Sequence, residues 1–216
     1  MVNQIARPAR AGPAGNGNLA VLRNQALCRG LMVDLEDAAM RISALTAQAV
    51  PWKNGGGVTR ELAVHEQDGH MVWRVSLADI TRNGPFSAFP GLARIHCVTE
   101  GAGHSLSNEG TRLEARPLQP LCFDGGVDLE CRLRAGPCKA FNVIYDPAQV
   151  TAEPKVLADG IVPDTEGPQM LFVVSGILDV AGIDRLGPGE GIVTQSAAGA
   201  VITGGGTVIQ VRILPV

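Results

Sequence analysis

Short strand-like runs, each bounded by turn residues, recur from Met40 to the C-terminus and constrain the fold more than any other feature. The clearest run, MVWRVSLADI at Met71–Ile80, alternates apolar and polar side chains, which predicts a strand with one buried face. No helical stripe of convincing length follows Ser43–Val50, so the chain is predicted to be all-β. The other predicted strands are rich in Val, Ile and Leu: Arg94–Thr99, Val127–Leu133, Ala140–Tyr145, Gln169–Val174, Ile177–Val180 and Thr207–Leu214.

A weak internal repeat divides this strand-rich part. VTEGAGHSL at Val98–Leu106 and VVSGILDVA at Val173–Ala181 each predict a strand, a tight glycine turn and a second strand. Two copies of one jelly-roll half-sandwich produce such a pattern, and PGEG at Pro188–Gly191 is typical of the inter-strand turn of a cupin barrel. We therefore predict a bicupin, one compact unit with an N-terminal half at 40–150 and a C-terminal half at 151–216.

Residues 1–39 differ in character from the rest of the chain. RPARAGPAGNGN at Arg7–Asn18 is rich in Gly, Pro and Ala and has no periodicity, as is typical of a flexible segment. Leu31–Met40 has the pattern of a short, isolated helix. Two interpretations stay open: residues 1–39 are a flexible extension, or they are an over-extended gene prediction and Met40 is the true start.

Composition limits the partners that we expect. The net charge is −3 and the basic residues are spread along the chain, whereas binding of a phosphate backbone requires clustered Lys and Arg. The sequence has no run of about 18 or more apolar residues, so no transmembrane helix is predicted. The five cysteines are odd in number and lack CxxC spacing, which indicates reduced thiols in a cytoplasmic protein. We expect neither nucleic acid nor a membrane as a partner, and a homodimer is compatible with the sequence.

PWKNGGGVTREL at Pro51–Leu62 is the most unusual segment. Three successive glycines suit a sharp turn or the close approach of a ligand to the backbone, and polar side chains flank them on both sides. The alternative is a plain hairpin turn with solvated charges. A phosphate-binding loop is disfavoured because no GK[ST] follows the glycines.

At this segment the sequence resembles the HutD/Ves family. Four further blocks agree with that family in order: WRVSLADI at Trp73–Ile80, GPFSAFPGLAR at Gly84–Arg94, PLQPLCFDG at Pro117–Gly125 and FNVIYD at Phe141–Asp146. The resemblance covers most of Met40–Asp146, whereas Val150–Val216 agrees only in its general β character. It implies a bicupin fold, a link to bacterial histidine utilisation, and binding of a small carboxylate or pathway intermediate such as formylglutamate or urocanate.

A carboxylate ligand requires a fixed cation with complementary donors. Alternation places Arg74 and Ser76 together, opposite the apolar face of their strand, and places Thr59 with Glu61 after the glycine turn. Asn142 interrupts an apolar strand and must find partners if it is buried. For each candidate the alternative is a structural role in an ion pair, a turn or the pocket wall. The predicted ligand-binding residues are Trp52, Lys53, Asn54, Thr59, Glu61, Arg74, Ser76 and Asn142.

Metal-dependent and nucleophilic chemistry are both disfavoured. No His-x-His motif occurs; His96 and His104 flank Glu100, but the turn at Glu100–Gly103 should place the two histidines on different strands and out of register. No GxSxG motif is present, and the cysteines lie in apolar strand contexts such as IHCV. We therefore predict no metal, no cofactor and no catalytic cysteine.

Three functions stay open at this point. Metal-independent binding of a small carboxylate metabolite, with a regulatory role, fits the missing metal ligands and nucleophile. A metal-independent hydrolase or isomerase acting on such an intermediate needs a general acid–base, for which Glu61 is the candidate. An interaction scaffold with a vestigial pocket predicts a small or closed cavity.

Overall fold

The structure is a computed structural model that describes residues 39–163, 165 and 167–216. Residues 1–38, and with them nearly all of the predicted helix at Leu31–Met40, lie outside the described residues. Every regular element within the described ranges is a β-strand. No helix long and apolar enough to cross a membrane occurs in these ranges. The strands are β1 Met40–Ser43, β2 Ala49–Pro51, β3 Gly57–Gln67, β4 His70–Ile80, β5 Gly84–Phe86, β6 Ala93–Glu100, β7 His104–Ser107, β8 Arg112–Ala115, β9 Leu121–Asp124, β10 Leu129–Leu133, β11 Cys138–Tyr145, β12 Val150–Ile161, β13 Gln169–Val180, β14 Ile183–Leu186, β15 Glu190–Thr194 and β16 Val201–Pro215.

These strands form three antiparallel sheets. The central sheet has the order β2-β3-β4-β11-β6-β9, and the small sheet has the order β5-β10-β7-β8. The C-terminal sheet has the order β1-β15-β13-β16-β12, with β14 added along β13. The first two sheets form the N-terminal half, and the third builds the C-terminal half.

The central sheet is buried on both faces because another sheet packs against each of them. Alternation divides its side chains between the two cores. Trp73, Val75 and Leu77 of β4 face the C-terminal sheet and pack in a core with Met170 and Phe172 of β13. The alternate residues of β4 face the small sheet, where Ala78 and Ile80 enter a second core with Phe86 and Leu106. A third core lies within the C-terminal half.

Strand β1 lies in a different half from the one that its position in the sequence suggests. The boundary at 40–150 assigns it to the N-terminal half, but it pairs with β15, with Met40 opposite Val193. Ile42 is fully buried in the core between the central and C-terminal sheets, and Arg41 forms a 2.6 Å ion pair with Glu190. Burial of Ile42 and pairing of the β15 edge together explain this placement.

The second copy of the predicted repeat does not turn at its glycine. Val173–Val180 stays within the single strand β13, and Gly176, with φ of 73°, lies where the register with β16 shifts. A Cβ atom at this position would lie 2.3 Å from the Cα of Gly206, so both the backbone angle and the close approach require glycine. The interpretation of Gly176 as a hairpin turn is therefore wrong, and the residue forms a bulge instead.

The stacked pair Phe141–Phe172 should carry much of the stability between the halves. Their ring centroids lie 4.9 Å apart and both side chains are buried. Phe172→Ala should lower the free energy of unfolding by about 3–5 kcal/mol in urea denaturation, because it leaves a cavity in this core. Ile161→Ala, at a position that is 78% exposed, should change it by less than about 0.5 kcal/mol. A similar cost for both variants would contradict this packing.

Candidate functional site

The glycine turn of PWKNGGGVTREL closes the hairpin between β2 and β3. The Trp52 amide donates to the Gly57 carbonyl at 2.9 Å, and the Asn54 side-chain oxygen accepts from the Gly56 amide at 2.9 Å. A Cβ atom on Gly57 would lie 2.2 Å from the Asp79 carbonyl oxygen, so this glycine permits close pairing with β4. Asn54 therefore serves the turn, and both it and Lys53 are exposed.

A partly open cavity of about 40 Å³ lies between the central and small sheets. Five of the eight residues predicted from the sequence line it: Thr59, Arg74, Ser76 and Asn142, which strand alternation directs to this face, and Trp52, which precedes the glycine turn. The other lining residues are Ala78, Phe86, Ser87, Phe89, Arg94 and Ile144. Lys53, Asn54 and Glu61 are not among the lining residues.

Arg94, which was not among the predicted residues, is the central cation of this cavity. Its side chain is 93% removed from solvent and its guanidinium carbon lies 4.0 Å from the centre of the Phe86 ring. No carboxylate of the described residues forms an ion pair with it. Burial first, and then the nearby charge of Arg74, lower the pKa of Arg94 to about 9, so the group still carries its charge at neutral pH.

The hydrogen bonds of Arg94 leave part of its guanidinium available. Nε and Nη2 donate to the Asn142 side-chain oxygen at 3.2 and 2.8 Å, and Nη1 donates to the Ser87 carbonyl at 3.2 Å. An arginine has five N–H groups, so after these three bonds one N–H remains on each terminal nitrogen. Two such donors on one planar group match the two oxygens of a carboxylate.

Arg74 and Glu61 form an ion pair at the edge of the cavity. Nε of Arg74 lies 2.7 Å from Oε2 of Glu61, although the N–H is not aligned for a hydrogen bond. The Glu61 side chain is half exposed, so solvent weakens the attraction. Of its two predicted roles, pocket acceptor or ion-pair partner, the structure places Glu61 in the second.

A buried polar chain runs from Asn142 into the interior of the N-terminal half. Nδ1 of His96 lies 2.7 Å from the Asn142 oxygen, Nε2 of His96 lies 3.0 Å from Nε2 of His104, and Nδ1 of His104 lies 3.4 Å from the Cys138 sulfur. The prediction that His96 and His104 are too far out of register to meet is wrong. Their strands belong to facing sheets, so both side chains point into the same core.

The described part of the chain contains no group of three or more His, Cys, Asp and Glu side chains placed to hold a metal ion. The three buried thiols are poor nucleophiles, because burial raises the pKa of Cys97 and Cys131 to about 12 and that of Cys138 to about 11. Arg94 and the polar groups beside it are hydrogen-bond donors that point into the cavity.

The model of the HutD family matches residues 44–209. The chain belongs to the HutD family. Among its relatives, an uncharacterised 21.2 kDa protein from the hutC 3′ region of Pseudomonas putida is 40% identical over 108 residues, which are 48% of this chain and 56% of that protein. Protein Ves of Escherichia fergusonii is 30% identical over 131 residues, which are 58% of this chain and 68% of Ves.

The solved structure of HutD from Pseudomonas fluorescens SBW25, determined in a formate condition, has a similar fold. It superposes with a TM-score of 0.72 at 32% identity and covers 83% of this chain and 100% of that one. Together with the family match, this likeness confirms the predicted all-β bicupin fold of this HutD-family chain.

Arg94 carries the same alternation signal in β6 as Arg74 and Ser76 carry in β4. In β6, Ile95 and Cys97 enter the core against the C-terminal sheet, whereas Arg94 and His96 point the other way. This parity, applied to RIHCV, places a cation on the cavity face. No local signal identifies His104, because its partner His96 lies across the core on another sheet.

The two buried histidines should make this protein sensitive to acid. Burial, Arg94 and His104 lower the pKa of His96 well below its ordinary value, and burial with Arg94 lowers the pKa of His104 to about 4. The unfolded state, with histidine pKa near 6.5, therefore takes up protons first as the pH falls from about 6.5 to about 4. The free energy of unfolding should fall over this window by at most about 1.4 kcal/mol per pH unit for each histidine.

Urea denaturation of His104→Gln at several pH values in this window checks the assignment, with the exposed His70→Gln as its control. The slope of stability against pH should be smaller in His104→Gln and unchanged in His70→Gln. Equal slopes in all three proteins would contradict the neutral, buried state of His104.

Proposed function

We propose that this HutD-family protein binds a small carboxylate through Arg94, without a metal, and that this binding serves a regulatory role. The observation that carries the proposal is a buried guanidinium with no carboxylate partner among the described residues and with two N–H groups left over. Burial of an unpaired charge is costly, and a bound carboxylate would supply the missing counter-charge.

The surroundings of Arg94 favour an anion that approaches in the plane of the guanidinium. Phe86 covers one face of the group at 4.0 Å, so the free N–H edge is the available contact. Arg74, whose charge is paired with Glu61, also lines the cavity, and the hydroxyl groups of Thr59 and Ser76 offer further hydrogen bonds. Thr59 already accepts from the Trp52 indole at 2.8 Å, which leaves its own hydroxyl proton for a ligand.

The volume of the cavity limits what enters it. About 40 Å³ accommodates a carboxylate group or formate, whereas formylglutamate or urocanate would extend through the opening toward Arg74 and Glu61. The link of the HutD family to histidine utilisation and the hutC region of the Pseudomonas putida relative favour a small carboxylate connected with histidine degradation.

The small cavity also favours a second candidate function, an interaction scaffold with a vestigial pocket. A scaffold would not need an unpaired cation in its core, which is why we prefer carboxylate binding. The hydrolase or isomerase alternative requires a free general base, but Glu61 is ion-paired with Arg74 and half exposed.

Thermal shift and calorimetry with formate, formylglutamate, urocanate and glutamate test the proposal, each with EDTA present and at matched ionic strength. A ligand at 100 times its Kd stabilises by about 2.7 kcal/mol, which raises Tm by about 5–10 °C for a chain of this length. Formamide, which is similar in size to formate but uncharged, should give no shift.

Arg94→Met should weaken binding of the responding carboxylate at least about tenfold, because the bidentate contact is lost. Its stability should be unchanged or higher, since an apolar side chain replaces a buried unpaired charge. Arg82→Met, at an exposed position, should bind as the wild type does. Absence of any carboxylate-dependent shift, or equal binding by Arg94→Met, would reject the proposal and favour the scaffold.

A further inference from the structure

The series of hydrogen bonds that runs from Arg94 to Cys138 has a direction, which follows from the donor and acceptor in each bond. An arginine has only donors, so the Asn142 group that faces Arg94 must be its oxygen. The Asn142 amide nitrogen donates to the Ala140 carbonyl at 3.0 Å, and this second contact fixes the same orientation independently. The Asn142 oxygen therefore acts as an acceptor for every group around it.

The orientation of Asn142 fixes the tautomers of both histidines. Nδ1 of His96, 2.7 Å from that oxygen, must carry a proton, so in the neutral ring Nε2 is an acceptor. Nε2 of His104, 3.0 Å away, must then donate, which leaves Nδ1 of His104 to accept from the Cys138 thiol. Each donor in the series points toward Asn142, and each tautomer determines the next.

We propose that Cys138, His104 and His96 are positioning residues, which hold the Asn142 oxygen toward Arg94 and thereby present the free edge of its guanidinium to the carboxylate. This inference rests on the proposed function. The opposite tautomers would set the His96 lone pair against the Asn142 oxygen. Rotation of the amide would relieve that repulsion only by turning its NH₂ group toward the N–H groups of Arg94.

The residues of this hydrogen-bonded series are almost completely buried. His96 and His104 are fully buried, and Asn142 and Cys138 are exposed by only 2% and 3%. Solvent cannot readily replace a missing donor in such a place, so loss of one member changes the partners of the next. The thiol of Cys138 lies at the far end of the series and nevertheless acts on the cavity through it.

Histidine ring ¹⁵N correlation spectra of the wild-type protein near pH 7.5 test the direction of the chain without any ligand. We expect His96 protonated at Nδ1 and His104 protonated at Nε2. The reverse tautomer of either ring, or a charged ring, would overturn the inference whether or not a carboxylate binds. The expected tautomers in a protein that binds no carboxylate would instead reject the proposed function, and with it the role toward a carboxylate, while the direction of the hydrogen bonds would stand.

Variants of Cys138 test the link to the cavity. Cys138→Ala removes the terminal donor and should alter the His104 ring signals and raise the Kd for formate about fivefold, the effect of one ordinary hydrogen bond. Cys138→Ser keeps a donor and should stay within about twofold of the wild type in Kd. The matched control is Cys131→Ala, a buried thiol of the same core with no hydrogen bond to these histidines.

A loss of Tm shared by both alanine variants would report only the packing of the two thiols. The specific signature of positioning is a changed Kd and changed ring signals in Cys138→Ala alone, both restored in Cys138→Ser. Equal Kd for formate in Cys138→Ala, Cys131→Ala and the wild type would overturn the positioning role.

Discussion

The structure depends on the alternation of side chains across the central sheet, because both faces of this sheet are buried and the two faces differ in character. One face is apolar and joins the halves of the molecule through contacts such as Phe141 on Phe172. The other face carries Arg74, Arg94 and Asn142 into the cavity. A shift of one residue in any of its strands would place charge in the apolar core and remove it from the site, so fold and site share one register.

The sequence predicts the part of this arrangement that is local to a strand. Alternation in β4 places Arg74 and Ser76 correctly on the cavity face, and the isolated amide in β11 identifies Asn142 as a buried polar residue with partners. The polar flanks of the glycine turn predict Lys53 and Asn54 as ligand contacts, but neither residue lines the cavity. Polar side chains in turns often bond to the backbone of the turn itself, as Asn54 does with Gly56.

The remaining features arise between segments that are distant in sequence. The contact of His96 with His104 requires β6 and β7 to lie in facing sheets, and the pairing of β1 with β15 requires the two halves to be assembled. Gly176 as a bulge rather than a turn depends on Gly206 of the neighbouring strand. Propensity and periodicity describe one strand at a time, so they do not predict these pairings.

The placement of β1 has a consequence for the order in which this chain is able to fold. Arg41 and Glu190, which form an ion pair across β1 and β15, are separated by 149 positions. Contacts between such distant residues close slowly, because the entropy of loop closure opposes them until both segments are present. During synthesis β1, the first of the described strands, has no hydrogen-bonded partner among them until β15 has emerged, so the C-terminal sheet is completed by a strand made well before the rest of that sheet.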